Sequence, residues 1–243
     1  MTTTPTATPL VHLIGAGLGD IGSLTRRAAR VLAEADVVVL DRPSLDAVLE
    51  LAPVTAERVH VGRHRGHRAW STEAIVDLLA DRATAGQNVV RIKGGDPFVC
   101  SRGAEEALGL AARGIAVQVT PGVTAGSAAG AASGIDRGAS VTVVSGNHDP
   151  IGPSVVWPSL NSDGASGGAV VILTGRSHQG EIAAGIIDGG CASETAAALV
   201  HGVGRPDETV VHTELGGLGG VRLSAPAAMV VGPCRLGGEH AYP

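Results

Sequence analysis

Aromatic side chains are nearly missing from this 243-residue chain, which carries two Trp, one Tyr and one Phe. Proteins that grip single-stranded nucleic acid stack bases on aromatic platforms, and so few rings cannot build one. The formal charge of −5 also denies phosphate backbones the cationic surface they need, so nucleic acid is not an expected partner. Cysteine is scarce too. Cys100, Cys191 and Cys234 are odd in number, far apart and in no CxxC pair, a pattern that argues against a disulfide framework or a zinc site and for a reducing, cytoplasmic setting. No apolar run reaches membrane-spanning length, and the opening MTTTPTATP has neither the charge nor the apolar core of a signal peptide. Residues 1–9 are expected to form a disordered tail. Lysine occurs once, as Lys93, against seventeen Arg.

What remains is an apolar, glycine-rich chain, 44% hydrophobic and 17% charged with 36 Gly, enough for a sizeable core in one large or two smaller domains. Leu10 to Ile14 reads as a buried parallel strand that breaks into glycines. A helix is expected from about Ser23, as N-cap, through Ala35, with Leu24, Ala28, Val31 and Leu32 on one face. Val37 to Leu40 then forms a second strand ending at Asp41. This β-α-β order implies a parallel sheet with ligands at the strands' carboxyl ends. Ser71 caps a further helix to Ala85, which leads to the strand Val89 to Ile92. A second half begins near Thr120-Pro121-Gly122, with apolar runs at 141–144, 170–173, 196–200 and 227–231. Ala125 to Gly134, all Ala, Gly and Ser, is expected to be a closely packed helix, and residues 147–168 an exposed loop.

Several segments could carry chemistry. Gly17-Leu18-Gly19-Asp20-Ile21-Gly22 fits GxGxxG, and Asp41 follows at a distance suited to a ribose hydroxyl, so a dinucleotide oxidoreductase is one reading. Asp20 opposes it, because a carboxylate in that turn repels a pyrophosphate. Arg58, His60, Arg63, His64, Arg65, His67 and Arg68 crowd into one stretch, which is either a solvated loop or an anchor for a polycarboxylate, since guanidinium forks match carboxylates. The His spacing lacks a completing Cys or carboxylate, and no metal is expected. In Arg91 to Glu106, RIKGGDPFVCSRGAEE, Gly94 and Gly95 allow close backbone approach after a strand, Asp96 supplies an acceptor, and Pro97 stiffens the exit.

These residues resemble the signature of the uroporphyrinogen-III C-methyltransferases within the tetrapyrrole methylase family. The resemblance extends from residue 10 to about 235: HLIGAGLGD is similar to the family's first glycine loop, VVVLDRP to its second strand, PGVTAGSAAGAASGI to the entry of its second domain, and SAPAAMVVG to its last strand. It implies two α/β domains, 10–120 and 121–243, with S-adenosyl-L-methionine in the cleft between them. A homodimer and a tetrapyrrole substrate are implied as well. By position, cofactor contacts fall on Leu18, Gly94, Gly95, Asp96, Val99, Thr124, Ala125, Thr174 and Gly202. The catalytic positions fall on Asp41, as proton acceptor or electrostatic stabiliser, and on Arg63.

Departures from the pattern cluster near both ligands. Leu18 replaces a Pro, Thr174 a Met and Arg63 a Lys, while Gly138-Ala139-Ser140 stand where the family has Thr-His-Arg. A guanidinium is a poor proton donor, so Arg63 is expected to anchor an anion. The resulting expectation is methylation of uroporphyrinogen III to precorrin-2 by way of precorrin-1, serving sirohaem or cobalamin biosynthesis. Its rivals are a methylase of a later corrin intermediate, a non-catalytic tetrapyrrole- or cofactor-binding paralogue, and the oxidoreductase.

Overall fold

A computed structural model describes residues 8–41, 43–62, 69–135, 140–146, 168–224 and 227–232. The chain divides into two compact units, Met1–Thr124 and Ala125–Pro243.

In the first unit the strands are β1 (Leu10–Gly15), β2 (Val37–Leu40), β3 (Glu57–His60), β4 (Val89–Lys93) and β5 (Ala116–Thr120). They pair in the order β3-β2-β4-β1-β5, and every pairing is parallel. Alternation across a strand sends Ile14, Val38, Leu40, Val90 and Ile92 to one face, where they pack with Ala28 and Leu32 of helix α1 (Arg26–Leu32) and with the 3₁₀ stretch Pro43–Leu51. Val11, Val37, Val39 and Val89 take the other face, under α2 (Thr72–Thr84) and α3 (Gly103–Ala111). A sheet buried on both faces needs apolar residues at successive positions, which is why β2 is Val-Val-Val-Leu and fully buried.

Two expectations are corrected in this unit. Helix α1 starts at Arg26 with Thr25 as N-cap, not at Ser23. The Ser23 hydroxyl is already committed, accepting a 2.8 Å hydrogen bond from the Leu18 N–H, and Ile21–Ser23 form a separate 3₁₀ turn capped by Asp20. Arg58 and His60 lie in β3, not in a loop; Arg63, His64, Arg65, His67 and Arg68 lie outside the described residues. Ser71 caps α2 as expected, its hydroxyl accepting from Ala74 N–H at 3.1 Å.

The second unit holds β6 (Val141–Ser145), β7 (Ala169–Leu173), β8 (Ala196–His201), β9 (Thr209–Glu214) and β10 (Ala227–Val231). Their order is β6-β7-β10-β8-β9, a mixed sheet in which only the β6–β7 pairing is parallel. Helix α4 (Ala125–Ala132) presents Gly126, Ala129 and Gly130 to the interior, and α5 (Gln179–Asp188) buries Ile182, Ala183 and Ile186. The exposed loop expected at 147–168 falls outside the described residues except at Gly168, as do Gly138, Ala139 and Cys234.

Candidate active site

Strand order fixes where a ligand can sit in the first unit. From β1 the chain crosses to β2 on one side, whereas from β4 it crosses to β5 on the other. The carboxyl ends of the adjacent strands β1 and β4 are therefore a topological switch point, where open α/β sheets leave a crevice. Both glycine-rich segments emerge there. Gly17 and Gly95 pair as an antiparallel bridge, Gly95 N–H donating to Gly17 C=O at 2.7 Å and Gly17 N–H to Gly95 C=O at 3.2 Å. Each has a positive φ, 61° and 70°, a conformation that suits glycine. A third strand end joins them: a Cβ on Gly122 would lie 2.2 Å from the Gly95 carbonyl oxygen.

Asp96 ties this crossing together. One carboxylate oxygen accepts from Phe98 N–H at 2.8 Å and the other from Gly122 N–H at 3.1 Å. Gly94, Gly95 and Asp96 are thus brought beside the loop that carries Leu18, with Val99 in the following turn. Asp96 has a structural task in addition to any ligand contact. Thr124 closes this unit, and Ala125 opens α4 in the next.

In the second unit Thr174 and Gly202 directly follow β7 and β8. Leu173 pairs with Ala228 and His201 with Ala227, so both positions stand at one end of that sheet, on either side of β10. Thr174 has φ 67°, an outlier for a β-branched residue. Strain of that kind persists only where the surroundings hold it, commonly at ligand sites.

Beside the switch point, β2 ends at Asp41. Asp41 continues the face of Val37 and Val39, and Arg91 and Lys93 continue that of Val89, so all three side chains point under α3. Glu106 of α3 meets them. Arg91 Nε and Nη2 donate to the two Glu106 oxygens, each at 2.9 Å, and Nη2 also donates to Asp41 Oδ1 at 2.5 Å. Arg91 Nη1 donates to the Val39 and Ile92 carbonyls at 3.4 and 3.1 Å, which occupies all five guanidinium donors. Lys93 Nζ lies 2.8 Å from Glu106 and 3.4 Å from Asp41. Two cations and two carboxylates balance, as burial demands. Side-chain exposure is 0% for Arg91, 2% for Glu106 and 7% for Lys93, but 29% for Asp41. Asp41 is the member that meets the outside. Burial raises its pKa, but Arg91 and then Lys93 outweigh that effect and hold the carboxyl below its ordinary value.

Asp41, Lys93 and Arg102 line a pocket of about 360 Å³ together with Val61, Trp70 and Ile75. Arg102 is exposed and forms no ion pair among the described residues. No cluster of His, Cys, Asp or Glu able to hold a metal occurs among the described residues.

Residues 10–219 match the Tetrapyrrole (Corrin/Porphyrin) Methylases. The chain belongs to the tetrapyrrole methylase family. It is 38% identical over 231 residues to a siroheme synthase of Chromobacterium violaceum, covering 91% of this chain and 48% of that protein, and 38% identical over 237 residues to the siroheme synthase of Azotobacter vinelandii. The chain thus spans about half the length of the curated relatives it matches. Among solved structures, the uroporphyrin-III C-methyl transferase of Thermus thermophilus complexed with S-adenosyl homocysteine superposes with a TM-score of 0.76 at 34% identity, covering 91% of this chain and 96% of that one. A cobalt precorrin-4 methyltransferase shares the fold, with a TM-score of 0.79 at 22% identity.

Within this tetrapyrrole methylase the oxidoreductase reading loses its structural basis. Dinucleotide folds place their first two strands side by side, whereas here β4 separates β1 from β2. Asp41, the expected ribose ligand, is held by Arg91 and Lys93 instead. Glu106, Arg91 and Lys93 were not singled out by sequence reasoning as site residues. The signal was present in the alternation of Arg91 and Lys93 along an apolar strand, because buried charges require buried partners.

Proposed function

We propose that this chain is an S-adenosylmethionine-dependent methyltransferase that adds methyl groups to two pyrrole carbons of uroporphyrinogen III, giving precorrin-2 by way of precorrin-1. The observation that carries the reading is the Asp41 carboxylate, ionised and anchored by Arg91, facing a pocket one strand away from the Gly17–Gly95 crossing. The 34% identity to the Thermus thermophilus enzyme complexed with S-adenosyl homocysteine supports the same cofactor.

The bound cofactor supplies an electrophilic methyl on a sulfonium. The chain's own work is placement and charge. The bare glycine backbone at the switch point admits the cofactor closely, and alignment of reacting groups can be worth about 7–11 kcal/mol. As the pyrrole carbon gains a methyl, the ring becomes positively charged, and the exposed edge of Asp41 stabilises that charge. A carboxyl whose pKa is already lowered is a weak base, so between the two roles expected of Asp41 the geometry favours electrostatic stabilisation over proton acceptance. Arg102, which forms no ion pair among the described residues, offers a cation to a substrate carboxylate, and Arg63 is assigned a similar anchoring role. A homodimer and a cytoplasmic location complete the reading.

The test is incubation with uroporphyrinogen III and labelled S-adenosylmethionine, followed by mass analysis. Two methyl groups on the tetrapyrrole are expected. In a parallel incubation with a corrin intermediate in place of uroporphyrinogen III, label transferred to that substrate alone would move the assignment to a later methylase, and binding without transfer to either would make the chain a non-catalytic paralogue.

A further inference from the structure

Exposed large apolar side chains are not rare here; Val54 is 95% exposed, Leu108 72%, Phe98 51% and Trp70 46%. Among the described residues, Trp70 differs from the other large exposed apolar side chains in its place, being the one of them that lines the Asp41 pocket. An indole buries 150–250 Å² when packed, and leaving nearly half of it open at a pocket wall forgoes that gain unless a ligand takes it up.

We propose that the indole of Trp70 is the face on which one pyrrole ring of the substrate rests, and that it sets substrate affinity, not the rate of methyl transfer. This rests on the methyltransferase reading above. Trp70 is held firmly enough for the task. Its backbone N–H donates to the Val61 carbonyl at 2.9 Å just beyond β3, and the next residue, Ser71, caps α2. Val61, 1% exposed, and Ile75, 6% exposed, supply the apolar remainder of the lining. Of the charged lining, Arg91 and Lys93 are balanced by Asp41 and Glu106, which leaves Arg102 as the cation uncompensated among the described residues. A pocket with an aromatic face and one such cation matches an electron-rich ring bearing a carboxylate arm. Its volume, about 360 Å³, lies near the lower end of the roughly 300–1,000 Å³ of small-molecule sites, suited to one ring and its arms and too small for a four-ring macrocycle.

Aromatic pairs of this kind shift affinity by about two- to tenfold. Trp70→Ala is therefore expected to raise KM for uroporphyrinogen III by that factor, with kcat at saturating substrate held within about twofold, while Trp70→Phe, which keeps a stacking face, stays near wild type. A purely structural role would instead lower melting temperature and kcat in the Ala variant and leave KM in place. A second measurement uses Trp157→Phe, which makes Trp70 the single tryptophan. Its quenching by acrylamide should fall when uroporphyrinogen III is added anaerobically. An unchanged KM in Trp70→Ala, or undiminished acrylamide quenching at saturating substrate, overturns the inference. Loss of methyl transfer by the wild-type protein would instead remove the reading on which it rests, and the two failures are distinguished by the wild-type assay alone.

Discussion

Arg91 shows what a buried charge requires at the scale of a single residue. A guanidinium with 0% exposure is tolerable because each of its donors has an acceptor, and two of those acceptors are carboxylates. Glu106→Gln leaves Arg91 and Lys93 facing the Asp41 charge alone. Breaking a buried pair in this way costs about 3–5 kcal/mol, and because Gln keeps an acceptor oxygen the loss in urea unfolding is expected near the lower figure. Asp41 adds a pH signature. Its folded-state pKa lies below the unfolded value of about 3.9, so its stabilising contribution is complete above that value and disappears as pH falls through the folded pKa. The stability gap between wild type and Asp41→Asn, about 1–2 kcal/mol at neutral pH for a partly exposed pair, should begin to narrow in unfolding curves as pH falls past about 3.9 and close only below the lowered folded-state pKa. At this scale the sequence was partly legible. It places Asp41 directly after an apolar strand, where the structure also has it, while the catalytic role of Asp41 is what the resemblance implies; Glu106 was hidden because a carboxylate in a helix's first turn reads as a dipole complement until the strand beneath it is seen.

At the scale of elements, three strand ends meet through glycine backbones. Gly122 leaves no room for a side chain, since a Cβ would sit 2.2 Å from the Gly95 carbonyl oxygen and 2.9 Å from Gly15 C. Both neighbours are backbone and cannot rotate away. Gly122→Ala is expected to destabilise by about 1–3 kcal/mol and to weaken binding of S-adenosylhomocysteine, as read by calorimetry, while leaving the second unit's sheet intact. The central elements were readable from continuous apolar runs, because a doubly covered parallel strand must be apolar throughout. The strands that escaped notice, β3, β5 and β9, are all edges of their sheets. An edge strand faces solvent in part, and Ala116–Thr120 alternates between exposed and covered positions. A search for unbroken apolar runs misses that pattern. Helix α1 was displaced for a different reason: Ser23 is a good N-cap by type, but its hydroxyl was claimed by the Leu18 N–H.

For the whole molecule, the family sets the frame and the chain's own residues set the chemistry. Ligand binding should register globally, since anything that binds only the native state raises its melting temperature by mass action. S-adenosylhomocysteine at a hundredfold excess over its Kd should stabilise by about 2.7 kcal/mol, and NAD or NADP should produce no shift in the same melts. Arg63 belongs to the basic stretch outside the described residues, so the central claim is tested at Asp41. The decisive measurement is single-turnover methyl transfer to uroporphyrinogen III at saturating cofactor, comparing wild type with Asp41→Asn. The account predicts transfer by the wild-type protein and a fall of about a hundredfold in the variant, with S-adenosylhomocysteine affinity retained. A variant that transfers methyl at the wild-type rate would reduce Asp41 to a partner of Arg91 and contradict the account.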